Sequence, residues 1–195
     1  MEIDKKEVLR YMGHKSPEVP QNIDKEIDRV IEMFKTVTPK SVTIILPLEI
    51  LENGVKIGGI SVNSIDLKKH LDGFEEVMVI AATLGVEADT IIRKCALIGT
   101  VNLSAAQAAG TAMIESYLDT FGTHRFSPGY GDWDICDQQK IINLLDATKK
   151  IGITLTESMM MIPTKSVTAV MGIGKEQNSC HSCENCDKKD CEFRK

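Results

Sequence analysis

The amino-acid sequence predicts an α+β fold in which helices flank a twisted antiparallel sheet, followed by a short cysteine-rich C-terminal tail. Strand-like and helical segments are mixed without regular βαβ alternation, which favours an antiparallel over a parallel doubly wound sheet. Asn53-Gly54 stands between two segments rich in β-branched residues and indicates a tight hairpin turn. The chain has neither a glycine-rich dinucleotide fingerprint nor a P-loop, which leaves the doubly wound sheet as the weaker alternative.

The order of elements follows from periodicity and from turn residues. Asp4 is the predicted N-cap of the first helix and Asn22 that of the second. Strands are predicted at residues 41–50, 55–60, 76–83, 153–155 and 166–173. Further helices are predicted at residues 64–71, 86–120 and 137–150, with Gly99 or Gly110 as possible breaks in the longest one.

The composition changes after Gly174, where almost no aliphatic side chains remain and charges and cysteines dominate. Such a segment cannot bury a core of its own and needs a metal or a partner to become ordered. We therefore predict a folded domain at residues 1–174 and a metal-binding tail at residues 175–195.

Charge and hydropathy exclude some classes of function. The formal net charge is -5, which argues against nucleic acid as the main partner. Apolar runs are too short to span a bilayer, and the charged N-terminus does not have the pattern of a signal peptide. We expect a cytoplasmic protein whose thiols stay reduced.

The loop at residues 125–133 is the first candidate binding segment. Pro128 and Gly129 favour an unusual backbone path that lets a ligand approach the main chain. Arg125 offers a planar partner for a carboxylate. Tyr130 and Trp133 offer aromatic faces for a ligand or for a sulfonium cation. The alternative is a structural turn that carries a surface arginine.

The second candidate segment is Leu-Thr-Glu-Ser at residues 155–158, followed by three methionines, Pro163 and Ser166-Val167. Successive methionines can line an adaptable apolar surface, although plain core filling is the commoner role. Alone, this segment defines no function.

Together, these two segments resemble the activation domain of vitamin B12-dependent methionine synthase. The matching features are Arg-x-x-Pro-Gly-Tyr at residues 125–130, a following helix, Leu-Thr-Glu-Ser, Pro163 and Ser166-Val167. The opening Ile3-Asp4 and the alanine-rich helix through Glu115 are also compatible with this family.

The resemblance implies a domain that binds S-adenosylmethionine and reactivates an oxidised corrinoid. One electron from a flavodoxin or ferredoxin, coupled to methyl transfer from S-adenosylmethionine, would convert cob(II)alamin to methylcobalamin. By resemblance, Arg125 would bind the ligand carboxylate and Asp4 its amino group, and the backbone around Ser127 and Tyr130 would meet the nucleoside. The resemblance thus implies the following S-adenosylmethionine-binding residues: Asp4, Arg125, Ser127, Pro128, Gly129, Tyr130 and Ser166.

No catalytic residue is expected, because the sulfonium already activates the methyl group and the protein has only to orient it and exclude water. The cobalamin is expected on a partner chain, since no histidine lies in an Asp-x-His-x-x-Gly pattern. The chain is also too short for the other methionine synthase modules, so a stand-alone subunit acting in trans is expected. It departs from the family at two points, where Asp137-Gln138-Gln139 replaces a histidine and a tyrosine pair beyond Ser166-Val167 is missing.

The tail contains four closely spaced cysteines, which we predict to be metal ligands: Cys180, Cys183, Cys186 and Cys191. Four thiolates suit either zinc or an iron–sulfur cluster. The close spacing slightly favours the cluster, although Glu192 stands where a proline often follows the last ferredoxin cysteine. A redox-active thiol cluster and a disordered tail are the alternatives.

Two other functions remain open at this point. The chain could reactivate a different corrinoid methyltransferase with the same fold and site. It could instead be a non-catalytic metal-binding adaptor that docks partners through its tail. Binding of S-adenosylmethionine would count against the adaptor.

Overall fold

The computed structural model of the chain describes residues 2–14 and 19–174. The predicted tail and its four cysteines lie outside the described residues. The helices are α1 (Lys5–Tyr11), α2 (Gln21–Phe34), α3 (Ile65–His70), α4 (Gly85–Ile98), α5 (Thr100–Asp119), α6 (Gln138–Leu145) and α7 (Ala147–Ile151). The strands are β1 (Lys40–Leu51), β2 (Gly54–Ile57), β3 (Ile60–Val62), β4 (Glu76–Thr83), β5 (Thr154–Leu155), β6 (Met161–Ile162) and β7 (Ser166–Ile173).

The predicted fold class is confirmed, because an antiparallel five-stranded sheet with the order β3-β2-β1-β4-β7 lies among the helices. The long strand β1 pairs with β4 through its first part and with β2 through its last four residues. Strands β5 and β6 form a separate two-stranded sheet.

Each face of the main sheet is covered by helices, and successive residues of β4 alternate between the two cores. Ile80 packs with α1, α2, α4 and α5 on one face. Val79 and Ala81 pack on the other face, with α3, α6, α7 and Trp133. A strand buried on both faces reads as a continuous apolar run, as β4 does. The fold therefore has three layers, helix–sheet–helix.

Several predicted elements differ from the structure in their bounds. The helical stretch expected at residues 86–120 is two helices, and of the two possible breaks Gly99 is the one that is extended and ends α4 one residue before α5 begins. Asp146 adopts a left-handed conformation with φ of 52° and divides the helix expected at residues 137–150. The return strand expected at residues 55–60 ends at Ile57, and the chain turns again to form β3. Helix α2 begins after Pro20, so Asn22 is not its N-cap.

Candidate functional site

A cleft of about 350 Å³ lies between the end of α5, the loop after it, and the strands β6 and β7. This volume is within the range of small-molecule sites. Five of the seven residues predicted to bind the ligand line the cleft: Arg125, Ser127, Pro128, Tyr130 and Ser166. The cleft thus brings together both candidate segments, which are distant in the sequence.

The loop at residues 125–133 is held to the sheet by its backbone. Phe126 and Val170 of β7 exchange two backbone hydrogen bonds, of 2.9 and 2.8 Å. The Gly129 amide donates to the Trp133 carbonyl over 2.8 Å and closes a tight turn. Gly129 has φ of +89°, and a Cβ there would lie 3.0 Å from Cδ1 of Ile135. The turn therefore requires glycine at this position.

Trp133 anchors the loop in the core, where it is only 2% exposed. Its ring stacks near that of Phe126, with centroids 6.2 Å apart and planes at 18°. Its Nε1 donates to Asp137 over 3.0 Å. The hypothesis that Trp133 covers a ligand is therefore wrong, whereas Tyr130 is 67% exposed at the cleft and is accessible to a ligand.

Asp132 ties the same loop to the start of α3. Its carboxylate accepts hydrogen bonds from the Ser64 hydroxyl and from the amides of Ile65 and Asp66. These bonds, the one from the Ser64 hydroxyl above all, hold the pKa of the Asp132 carboxyl below its usual value. The loop therefore has two independent anchors, one at Trp133 and one at Asp132.

Arg125 is the one cation among the described residues that line the cleft. Its side chain is 12% exposed and lies between two carboxylates of α5. Nη2 donates to Glu115 over 2.8 Å, and Nη1 donates to Asp119 over 2.8 Å. Nη1 also donates to the Gly122 carbonyl. The guanidinium is thereby fixed in direction before any ligand arrives.

Glu115 lines the cleft as well, whereas Asp119 does not. The sequence motifs do not include Glu115, although a local pattern points to it. Residues four apart on a helix share a face, so Glu115 and Asp119 form one acidic patch that precedes the candidate arginine. That the patch meets Arg125 depends on the turn at Gly122, which the sequence does not reveal.

The opposite wall of the cleft is built by hydrogen bonds that fix the segment before β7. The Ser166 hydroxyl contacts the Pro163 carbonyl and the Thr83 hydroxyl, both over 2.7 Å. The Gln138 amide donates to the Met159 carbonyl over 2.8 Å. Ser166 is thus placed at the cleft, and its hydroxyl also stabilises the local fold.

The two remaining predicted residues lie outside the cleft lining. Gly129 belongs to the loop but faces Ile135. Asp4 is exposed and is the N-cap of α1, as predicted, where its carboxylate accepts a hydrogen bond from the Lys6 amide over 2.8 Å. Asp4 is not among the residues that line the cleft.

Two further observations concern metal ligands and membrane-spanning helices. Within residues 2–14 and 19–174, no group of three or more histidine, cysteine or acidic side chains is arranged to hold a metal ion. Among the same residues, no helix has both the length and the apolar character required to cross a membrane.

The fold is an α+β domain with a cleft of small-molecule size between the longest of its described helices and an edge strand. Residues 106–194 match the sequence model of the family described as the vitamin B12 dependent methionine synthase, activation domain. This match covers both motif segments and confirms the resemblance that they indicated.

A solved structure, the MetH reactivation domain bound to AdoHcy, has the same fold. Its TM-score with this chain is 0.62 and its sequence identity is 18%. The alignment covers 80% of this chain and 66% of the solved chain. No curated protein sequence matches the chain.

Proposed function

We propose that the chain binds S-adenosylmethionine in this cleft and supports the reductive methylation of cob(II)alamin in a methionine synthase. One observation carries the proposal. The Arg-x-x-Pro-Gly-Tyr loop forms the cleft, and Arg125 stands in its wall with a fixed direction. The solved domain of similar fold binds AdoHcy, the product left when S-adenosylmethionine gives up its methyl group.

The residues of the cleft suit each part of such a ligand. Arg125 provides a planar cation for the carboxylate of the methionine moiety. The exposed ring of Tyr130 offers a face to a sulfonium cation. Ser127 and Pro128 line the cleft next to Tyr130, and we assign the nucleoside to this part of the cleft. The protein's contribution is to orient the donor and exclude water, since the sulfonium itself activates the methyl group.

The partners belong to the same proposal. A corrinoid-binding methionine synthase chain would hold the cobalamin, and a flavodoxin or ferredoxin would supply the electron. The chain would act in trans in the reducing cytoplasm. Cob(II)alamin takes up one electron and the methyl cation of S-adenosylmethionine, which yields methylcobalamin and S-adenosylhomocysteine. The same cleft would serve another corrinoid methyltransferase, which is the second candidate function.

A reactivation assay tests this proposal. The corrinoid chain of a methionine synthase that lacks its own activation domain is prepared as cob(II)alamin and mixed with S-adenosylmethionine and reduced flavodoxin. We expect methylcobalamin, followed by its visible spectrum, to form only when this chain is added. Omission of S-adenosylmethionine is the control. If the chain accelerates methylation on another corrinoid protein but not on methionine synthase, the second candidate is correct.

For the tail we propose a separate metal-binding unit at residues 175–195, with Cys180, Cys183, Cys186 and Cys191 as ligands of zinc or an iron–sulfur cluster. Among the described residues, the remaining cysteines are Cys95, which is buried, and Cys136, which is exposed. Because a structural metal can order a segment that has no core, we expect the metal to protect the tail from proteolysis.

Anaerobic purification with metal analysis and visible absorption tests the tail. We expect one metal centre per chain, which Cys183→Ser removes and Cys136→Ser leaves in place. Iron with sulfide and a brown colour supports a cluster, and one zinc supports a structural site. Four freely titrating thiols without metal would contradict the proposal.

A further inference from the structure

We propose that Glu115 accepts the α-amino group of the ligand, so that Glu115 and Arg125 together recognise the zwitterionic head of an amino-acid ligand. This inference rests on the proposed function, because it assigns a specificity-determining residue within the same cleft.

The first observation is the geometry of the pair. Glu115 and Arg125 meet side by side, with Oε2 of Glu115 2.8 Å from Nη2 of Arg125. The Glu115 side chain is 39% exposed and lines the cleft, so its carboxylate is accessible to a ligand. A carboxylate and a guanidinium in contact present adjacent negative and positive charges. An α-amino acid presents the complementary ammonium and carboxylate at the same short separation.

The second observation is the composition of the wall. Among the described residues that line the cleft, Glu115 is the only carboxylate and Arg125 the only cation. An ammonium group in the cleft therefore has one anionic partner within it. Thr123, Ser127 and Thr168 offer neutral hydroxyls, which form weaker bonds to a cation than a carboxylate does.

The third observation separates Glu115 from the other acidic residues near the site. Asp119 also contacts Arg125 over 2.8 Å but stands outside the cleft lining. Its carboxylate can hold the guanidinium in place without touching a ligand. Asp4, to which the family resemblance gave the amino group, is exposed at the start of α1 and does not line the cleft.

This arrangement predicts selection for both groups of the amino-acid head. A ligand that lacks the ammonium leaves Glu115 paired only to Arg125 and forms one charge-assisted hydrogen bond fewer. We expect the deaminated analogue of S-adenosylhomocysteine to bind about 10-fold or more weakly than S-adenosylhomocysteine itself.

The test is calorimetric and compares the two ligands on three proteins. The wild-type chain, Glu115→Gln and Asp119→Asn are each titrated with S-adenosylhomocysteine and with its deaminated analogue. Glu115→Gln should bring the ratio of the two dissociation constants close to one. Asp119→Asn is the matched control, because it removes the same charge from Arg125 outside the cleft, and it should keep the wild-type ratio. Thermal unfolding followed by circular dichroism verifies that each variant is folded.

The outcomes separate this inference from the proposed function. If the folded wild-type chain binds neither ligand, the proposed function fails. If it binds both ligands equally well, the role of Glu115 is refuted without any variant. The role is also refuted if Glu115→Gln keeps the wild-type ratio, or if Asp119→Asn lowers the ratio as much as Glu115→Gln does. The last result would mean that the carboxylates act only by orienting Arg125.

Discussion

Replacement of Trp133 by alanine is expected to lower the free energy of unfolding by about 3–5 kcal/mol, the usual cost of truncating a large buried aromatic side chain. Trp133 is 2% exposed and belongs to the core cluster that also contains Ile141 and Leu145. The variant would leave a cavity under the loop. It would also loosen the turn in which the Gly129 amide donates to the carbonyl of residue 133. Chemical denaturation measures the change.

Trp133→Phe is the matched control for this prediction. Phenylalanine keeps an aromatic ring in the core but loses the hydrogen bond from Nε1 to Asp137. We expect this loss to lower the free energy of unfolding by roughly 1 kcal/mol. We also expect the folded fraction of Trp133→Ala to bind S-adenosylmethionine less tightly than Trp133→Phe, because the loop at residues 125–130 is built on this side chain. Equal stability of the two variants would contradict the anchoring role.

Replacement of Arg125 by alanine is expected to weaken S-adenosylmethionine binding by about 1.5–3 kcal/mol, the usual contribution of a hydrogen bond to a charged group. The variant removes the only cation among the described residues of the cleft wall. It also leaves Glu115 and Asp119 without their shared partner, so that the cleft becomes acidic and repels the ligand carboxylate. Isothermal titration calorimetry measures the loss of affinity.

Arg125→Lys separates charge from geometry. Lysine keeps the positive charge but cannot bridge Glu115, Asp119 and the ligand with one planar fork. We therefore expect its affinity for S-adenosylmethionine to lie between those of the wild type and of Arg125→Ala. If alanine and wild type bind equally well, Arg125 does not contact the ligand and the cleft is not the binding site.

The sequence predicts the sheet well where the physical signal is local. The predicted bounds of β4 and β7 agree with the structure, since both are short apolar runs limited by turn residues. The sequence does not specify where the helical stretch breaks, because Gly99 and Gly110 both interrupt the same helical pattern. Only tertiary packing decides between them. Gly110 stays in the helix under the Lys165 side chain, and Gly99 becomes extended.

The sequence predicts the part of the site that one contiguous segment forms, and it does not predict contacts that depend on tertiary packing. The Arg-x-x-Pro-Gly-Tyr loop is contiguous, and its residues reach the cleft as a group. Trp133 was misassigned because an aromatic residue in a glycine-rich loop has the same sequence signal whether it faces a ligand or the core. The partnership of Glu115 with Arg125 depends on how the chain reverses after α5, which composition and periodicity do not specify. The metal ligands predicted in the tail remain a prediction.

The most direct test of the account is a calorimetric titration of the wild-type chain with S-adenosylmethionine, in the absence of any corrinoid protein. We expect saturable binding at one site per chain, with competition by S-adenosylhomocysteine and weaker binding by Arg125→Ala. A well-folded wild-type chain that shows no binding to S-adenosylmethionine would contradict it.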